Sequence, residues 1–316
     1  MSQGLPTTNG KGEAIASGTK FLEQAKAAAN QTIENPYSLK EKEQIDYSQF
    51  RKLDKSWYEA QAGANGAVVE TAQELKDAVA AGKETIVVYG TINFNNGTLT
   101  LKANQKLVGT EYFADIDSNA LHRNNPAERF SQINFKFTGT SDGSGIRTAG
   151  NNTISDIKIS LNNNVSLNRA AIYVTKADNY LKNLDISSES ATSQISGILI
   201  HSSADNTRMN GTFNIDVANH GSGGKLGIYN YGGELFIDQA EINVTQGSRG
   251  IIAGAASHTH ISNSRLNLHT TYGLYTNIKN YGGNTININE NVILNCQSLI
   301  AIKNSQNNKV NPDTGQ

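Results

Sequence analysis

Seven residues in the middle and last third of this 316-residue chain have side chains suited to holding a sugar: Arg147, Tyr173, His201, Tyr229, Tyr231, Tyr275 and Lys303. A tyrosine ring is flat and apolar with a polar tip, so the apolar face of a pyranose can stack on it, while Arg, Lys and His donate to hydroxyls or to a uronate carboxylate. Their spacing puts them together. Each lies one or three places beyond an aliphatic residue that recurs every 23 to 30 residues, at Ile146, Ile172, Ile198, Ile228, Ile251, Leu274 and Ile300. If those aliphatics face a core, strand alternation turns the odd offsets outward, and the seven residues share one face with Leu199, Ile252, Ala301, Thr175, Gly254 and Asn277. That face carries no carboxylate. A calcium-dependent lyase needs several carboxylate oxygens around the cation, and glycoside hydrolysis needs a pair of acids. The nearest acids are Asp142, Asp178 and Asp205. The last two precede Asn179 and Asn206 at matching places in the repeat and read as turn residues. Any catalysis on this face therefore falls to His201 or Tyr173 as proton acceptor, with Arg147 neutralising charge. Cross-strand tyrosine stacking would equally stabilise a sheet that binds nothing.

Other reactive residues are few. His258 and His260 sit two apart on a strand pattern and share a face; with a third ligand such as His269 they could hold a metal, and otherwise they face solvent. Cys296, near Ile293, Leu294 and Leu299, reads as a packed thiol. No metal site and no cofactor is expected, calcium entering only with the lyase alternative. A single Cys excludes a disulfide framework. With 27 basic and 28 acidic residues, nothing provides the electrostatic footprint that nucleic acid requires. No apolar run approaches a membrane span, and Met1 to Gly10 lacks the layout of a secretory signal.

The elements that must position these residues follow from the repeat. A period in the twenties marks a solenoid. Downstream of each aliphatic run comes a second pattern, an amide or acid flanked by alternating aliphatics, as in Ile154-Ser155-Asp156-Ile157, Leu181-Lys182-Asn183-Leu184 and Ile261-Ser262-Asn263-Ser264. That is strand, tight turn, strand. Asn183, Asn263 and their neighbours would stack from coil to coil and share hydrogen bonds, which gives a use to the 39 Asn of the chain. A leucine-rich repeat would need a helical half in each unit, and it is missing. The fold class is all-β, a parallel β-helix. Thr71-Ala72-Gln73-Glu74 is a capping box that opens an amphipathic helix over about 72–81, placed to plug the open end of the solenoid. The solenoid is expected over 63–303, with a charged, aromatic insertion at about 110–132. A polar, partly helical extension over 1–62 precedes it, and a polar tail over 304–316 follows.

Residues 63–109 resemble the opening of the pectate-lyase-like right-handed parallel β-helix superfamily. Gly63-Ala64-Asn65-Gly66 supplies its Gly-rich lead-in, Val69-Glu70-Thr71 with Glu74-Leu75 its capping-helix string, Gly90-Thr91-Ile92 its first strand, and Gln105-Lys106-Leu107-Val108-Gly109 the close of its first coil. The family's Trp-Ile-Asp-His strand, its clustered Asp ligands and its Arg-x-Pro motif are not found here, so no family catalytic residue is carried over. The resemblance implies a bacterial or phage protein, extracellular or on the cell surface, that binds a polysaccharide or host glycan, without membrane insertion and with oligomerisation open. A polysaccharide lyase or glycoside hydrolase working in the same groove is the alternative, and a structural spacer or tailspike-like domain the second alternative.

Overall fold

A computed structural model describes residues 53–116, 131–138, 143–163, 169–190, 194–219, 224–254, 256–270, 272–277, 285–288, 291–296, 302–304 and 309–312. The chain divides into 1–46 and 47–316, and every described residue belongs to the second unit. It is a β-solenoid of parallel strands with two described helices, α1 (Lys55–Ala62) and α2 (Ala72–Ala80).

Each coil contributes three short strands because its sequence alternates aliphatic and polar residues between turn residues. One set of strands forms an eight-stranded parallel sheet that runs from Leu99–Thr100 through Ile146–Arg147, Arg169–Val174, Ile195–His201, Lys225–Tyr231, Arg249–Gly254 and Tyr272–Asn277 to Ile302–Asn304. We call this the aromatic face. The other two sets join into one fifteen-stranded sheet that bends at a single residue per coil. The bend is made by Asp156, Asn183, Gly211, Gln239, Asn263 and Asn291, all with φ between 45° and 84°. Short Asn and Asp side chains tolerate this left-handed conformation by bonding locally. Here they also bond along the stack: Asn183 Nδ2 donates to Asp156 Oδ1 at 2.9 Å, and Asn291 Nδ2 to Asn263 Oδ1 at 3.1 Å. Beyond the bend, an outward row makes a longer ladder. Asn214 donates to Asp185 at 2.7 Å, Asn243 to Asn214 at 2.9 Å, Asn267 to Asn243 at 2.6 Å and Asn295 to Asn267 at 2.6 Å. We call this side the ladder face.

The interior is one aliphatic column running the length of the coils, widened by Phe94, Phe135, Phe137 and Phe213. The small residue preceding each recurring aliphatic is a packing requirement. A Cβ on Gly227 would stand 2.5 Å from the carbonyl oxygen of Gly250, and one on Gly250 would stand 2.6 Å from that of Gly273. At the N-terminal end α2 buries Leu75, Ala78 and Val79 against this column. Its capping box is complete: Thr71 Oγ1 accepts from Glu74 N, and the Glu74 carboxylate accepts from the N–H groups of Glu70 and Thr71. Those backbone bonds hold the Glu74 carboxyl below its ordinary range. Gln105 Nε2 donates to the carbonyls of Val79 and Lys83, so the far end of the helix is satisfied as well. Helix α1 lies on the outside of the first coils. Its Tyr58 and Trp57 pack with Val68, Val87, Val108 and Phe113 in a second, smaller core.

The expected insertion begins with a short 3-10 turn, Thr110–Phe113, whose Thr110, Glu111 and Phe113 are buried. Residues 117–130 lie outside the described residues. The last described strand, Lys309–Pro312, pairs with Thr285–Ile288, within the stretch expected as a polar tail. Among the described residues, no helix is long and apolar enough to cross a membrane.

Candidate functional site

The aromatic face holds the residues singled out in the sequence, and strand register sets their order along the rod. Arg147 pairs with Tyr173, Tyr173 with Leu199, Leu199 with Tyr229, Tyr229 with Ile252 and Ile252 with Tyr275. Two residues on, His201 pairs with Tyr231 and Tyr231 with Gly254. Neighbours in such a row stand about 4.8 Å apart, so side chains on adjacent and diagonal positions touch. The Arg147 guanidinium lies 5.3 Å from the Tyr173 ring centre. Tyr173 meets His201 edge to face at 6.0 Å, and Tyr229 meets Tyr231 likewise at 5.6 Å. The imidazole of His201 is oriented by Ser203, whose Oγ lies 3.0 Å from Nδ1 and donates to the carbonyl of Thr175. Ser203 was not among the residues the sequence singled out, and only its place one residue after His201-Ser202 could have suggested it.

Basic residues, but no acids, fall on the strands of this sheet. The eight strands contain Arg147, Arg169, Lys225, Arg249 and Lys303 and not one Asp or Glu. The chain as a whole carries a net charge of −1, so its acids are displaced to other faces. Asp185, Glu189, Asp216 and Glu241, for example, lie on strands of the ladder face. The Nε of Arg147 is buried and has no hydrogen-bond partner among the described residues. A guanidinium nitrogen in that state is held by packing on the Tyr173 ring, and its hydrogen-bonding capacity is unspent.

Several expectations need correction here. Lys303, not Ala301, is the residue in register with Tyr275, because Leu274 pairs with Ile302 rather than Ile300. A slip of two residues preserves which side chains face in and which face out, so alternation alone could not detect it. Ile252 stands in the outward row but is only 2 % exposed. Next to it, the Tyr229 ring lies flat across Gly254, where a Cβ would come within 2.7 Å of Cε2 and 3.0 Å of Oη. The side chains of Tyr275 and Lys303 lie outside the described residues, as do Asp142 and the Cys296 thiol. Gly254→Ala should lift the Tyr229 ring off the sheet and cost about 1–3 kcal/mol of stability, the usual range for overpacking. A chemical-unfolding midpoint equal to that of the parent would show that the ring moves aside freely.

The remaining candidates resolve into structural roles. Asp178 adopts φ 62° in the first turn and accepts from Asn206 Nδ2 at 2.7 Å. Asp205 contributes its carbonyl to the N–H of Asp178. Both therefore serve the turn stack. His258 and His260 do share an outward face, but His258 Nδ1 lies 2.8 Å from Thr285 Oγ1, and His260 stacks on Phe236 at 4.9 Å with Glu234 3.5 Å away. Among the described residues, no three His, Cys, Asp or Glu side chains converge as a metal site.

No protein family matches this chain, and no curated protein does. Among solved structures, it is similar to the crystal structure of an alginate lyase from Paenibacillus sp. str. FPU-7. The two share 12% identity over 76% of this chain and 98% of that chain, with a TM-score of 0.29.

Proposed function

We propose that the aromatic face binds an acidic or richly hydroxylated glycan along the rod axis, without catalysis, in a secreted or surface-exposed protein. The observation that carries this reading is the sheet with five basic residues and no acid, on which Tyr173, Tyr229 and Tyr231 stay partly exposed. Such a surface attracts an anionic polymer over a distance and offers rings for its sugars to stack on. Arg147, whose guanidinium lies over the Tyr173 ring, is the donor fitted to a carboxylate.

One observation favours a second reading. Arg147, Tyr173 and His201 touch in sequence, and they are the residues a metal-free β-elimination would need. His201 or Tyr173 would take the proton next to a uronate carboxylate, Arg147 would neutralise that carboxylate, and the glycosidic oxygen would leave with its bond electrons. One experiment separates the two readings. Purified protein is titrated with a panel of uronate and neutral polysaccharides while ultraviolet absorbance follows new unsaturated chain ends. Binding without any rise in absorbance, weakened at least tenfold by Tyr229→Ala with Tyr231→Ala and again by Arg147→Ala, is the expected result. A rise above a heat-killed control would replace it with the elimination reading. Unchanged affinity in both folded variants would remove this face from consideration.

A further inference from the structure

The ladder face holds a cavity that no motif in the sequence signals. It lies over the strands Thr91–Asn95, Gln132–Phe137 and Lys158–Asn163 and the distal part of Tyr180–Ser190, and measures about 360 Å³. Parallel register builds its two walls. Asn93, Asn134, Ser160 and Ser187 form one row. Asn95, Lys136, Asn162 and Glu189 form the other, two residues further along each strand. Outward residues two apart on a strand stand about 6.6 Å apart, and four rungs span about 14 Å. The result is a narrow trough running along the rod. Phe94, Phe135 and Leu161 lie between the rows but turn their side chains into the core, each 1 % exposed, so the side chains that rise from the trough are polar while much of its floor is carbon.

Its polar groups differ in state from those further along the same face. Downstream, each ladder amide is committed to the next, from Asn295 back to Asp185. The trough rows lie two and four residues beyond the row of that ladder, which continues through Lys158 and Gln132, and they form no such run. Asn134 Nδ2 donates to Asn93 Oδ1 at 2.9 Å, and Asn162 Nδ2 reaches Glu189 Oε2 at 3.3 Å. The hydroxyls of Ser160 and Ser187, the amide of Asn95 and the ammonium of Lys136 make no side-chain hydrogen bond among the described residues. Both walls thus offer donors and acceptors, and the second adds one basic and one acidic side chain.

That chemistry selects its ligand. A nucleic acid would need a basic excess, and an apolar peptide would need exposed apolar side chains; neither is present among the lining residues. An acidic glycan would meet Glu189. What matches closely spaced, charge-balanced donors and acceptors is a run of sugar hydroxyls. We propose that the trough is a second carbohydrate site, independent of the aromatic face, that takes an uncharged oligosaccharide lying along the rod.

Isothermal titration of the whole protein with cellohexaose, xylohexaose, mannohexaose and maltohexaose, alongside hexagalacturonate, tests this. At least one uncharged hexamer is expected to bind. Measured in the Tyr229→Ala, Tyr231→Ala background, which silences the aromatic face, binding of that hexamer should persist and its affinity should fall at least tenfold on adding Ser187→Trp, which fills the trough, and severalfold on adding Asn162→Ala. If Ser187→Trp does not fold, Asn95→Trp, at an exposed position, blocks the same trough. The proposal is overturned if none of the four uncharged hexamers binds, if the folded tryptophan variant binds as the parent does, or if only hexagalacturonate binding responds to the trough variants.

Discussion

Asn230→Ala is expected to lower the unfolding free energy by about 3 kcal/mol, because it strands several buried groups at once and each costs roughly 1–3 kcal/mol. Asn230 is fully buried. Its Nδ2 donates to the carbonyls of Gly233 and His258 and to Thr259 Oγ1, and its Oδ1 accepts from Gly233 N. The side chain thus ties the turn after Lys225–Tyr231 to the following coil. Guanidinium unfolding checks the value. A loss below about 1 kcal/mol, the net worth of an ordinary hydrogen bond, would mean that the freed groups find other partners. The partly exposed ladder amides, whose partners can turn to water, belong to that lower range.

Tyr58→Ala should cost about 3–5 kcal/mol, the usual toll for truncating a large buried aromatic, and should act locally. Tyr58 is fully buried and lies 5.0 Å from Trp57, 5.6 Å from Tyr89 and 6.0 Å from Phe113, ring centre to ring centre. It pins α1 to the outside of the first coils, and with it Leu53, whose carbonyl accepts from Tyr89 Oη. Trp57 is the only tryptophan, so its fluorescence reports on α1 alone. The expected outcome is red-shifted emission at denaturant concentrations where the far-ultraviolet β signal persists. Coincident loss of both signals would show instead that α1 and the coils unfold as one unit.

The parts of this architecture visible in the sequence are those that repeat. The coil period, the glycine column, the left-handed bend at Asn183 and Asn263, and the capping box at Thr71 and Glu74 are each fixed by local chemistry: alternation, close approach, an amide that tolerates positive φ, or reciprocal hydrogen bonds. The trio Arg147, Tyr173 and His201 was likewise legible, since regular spacing carried it into adjacent rungs. What escaped depends on pairing across unequal coils. Leu99–Thr100 is a two-residue strand that only its partner Ile146–Arg147 identifies. The slip at Ile302 leaves the alternation pattern unchanged. The trough brings Asn93 beside Asn134 across a 41-residue separation, well beyond the repeat period, and no periodic signal spans it. Trp57 and Tyr58 sit in a polar, weakly amphipathic helix whose buried side is defined by the strands it lands on, not by its own pattern.

The four asparagine ladders that end on an aspartate run the same way. Asn295 to Asn214 hand their donors one rung toward the N-terminus and finish on Asp185. Asn291 and Asn263 finish on Asp238, Asn183 on Asp156 and Asn206 on Asp178. An ionised aspartate accepts and cannot donate, so it is a stop signal for such a chain, and the bonds from Ser262 and Asn263 hold the Asp238 carboxyl below its ordinary range. The rod therefore has a reading direction. A duplicated coil that brings an asparagine can be spliced in anywhere above the stop without a mismatched bond, whereas one that brings an aspartate would start a new ladder and end the old one. Lengthening by duplication is thus chemically easy in one direction, and the aspartates mark where successive ladders begin.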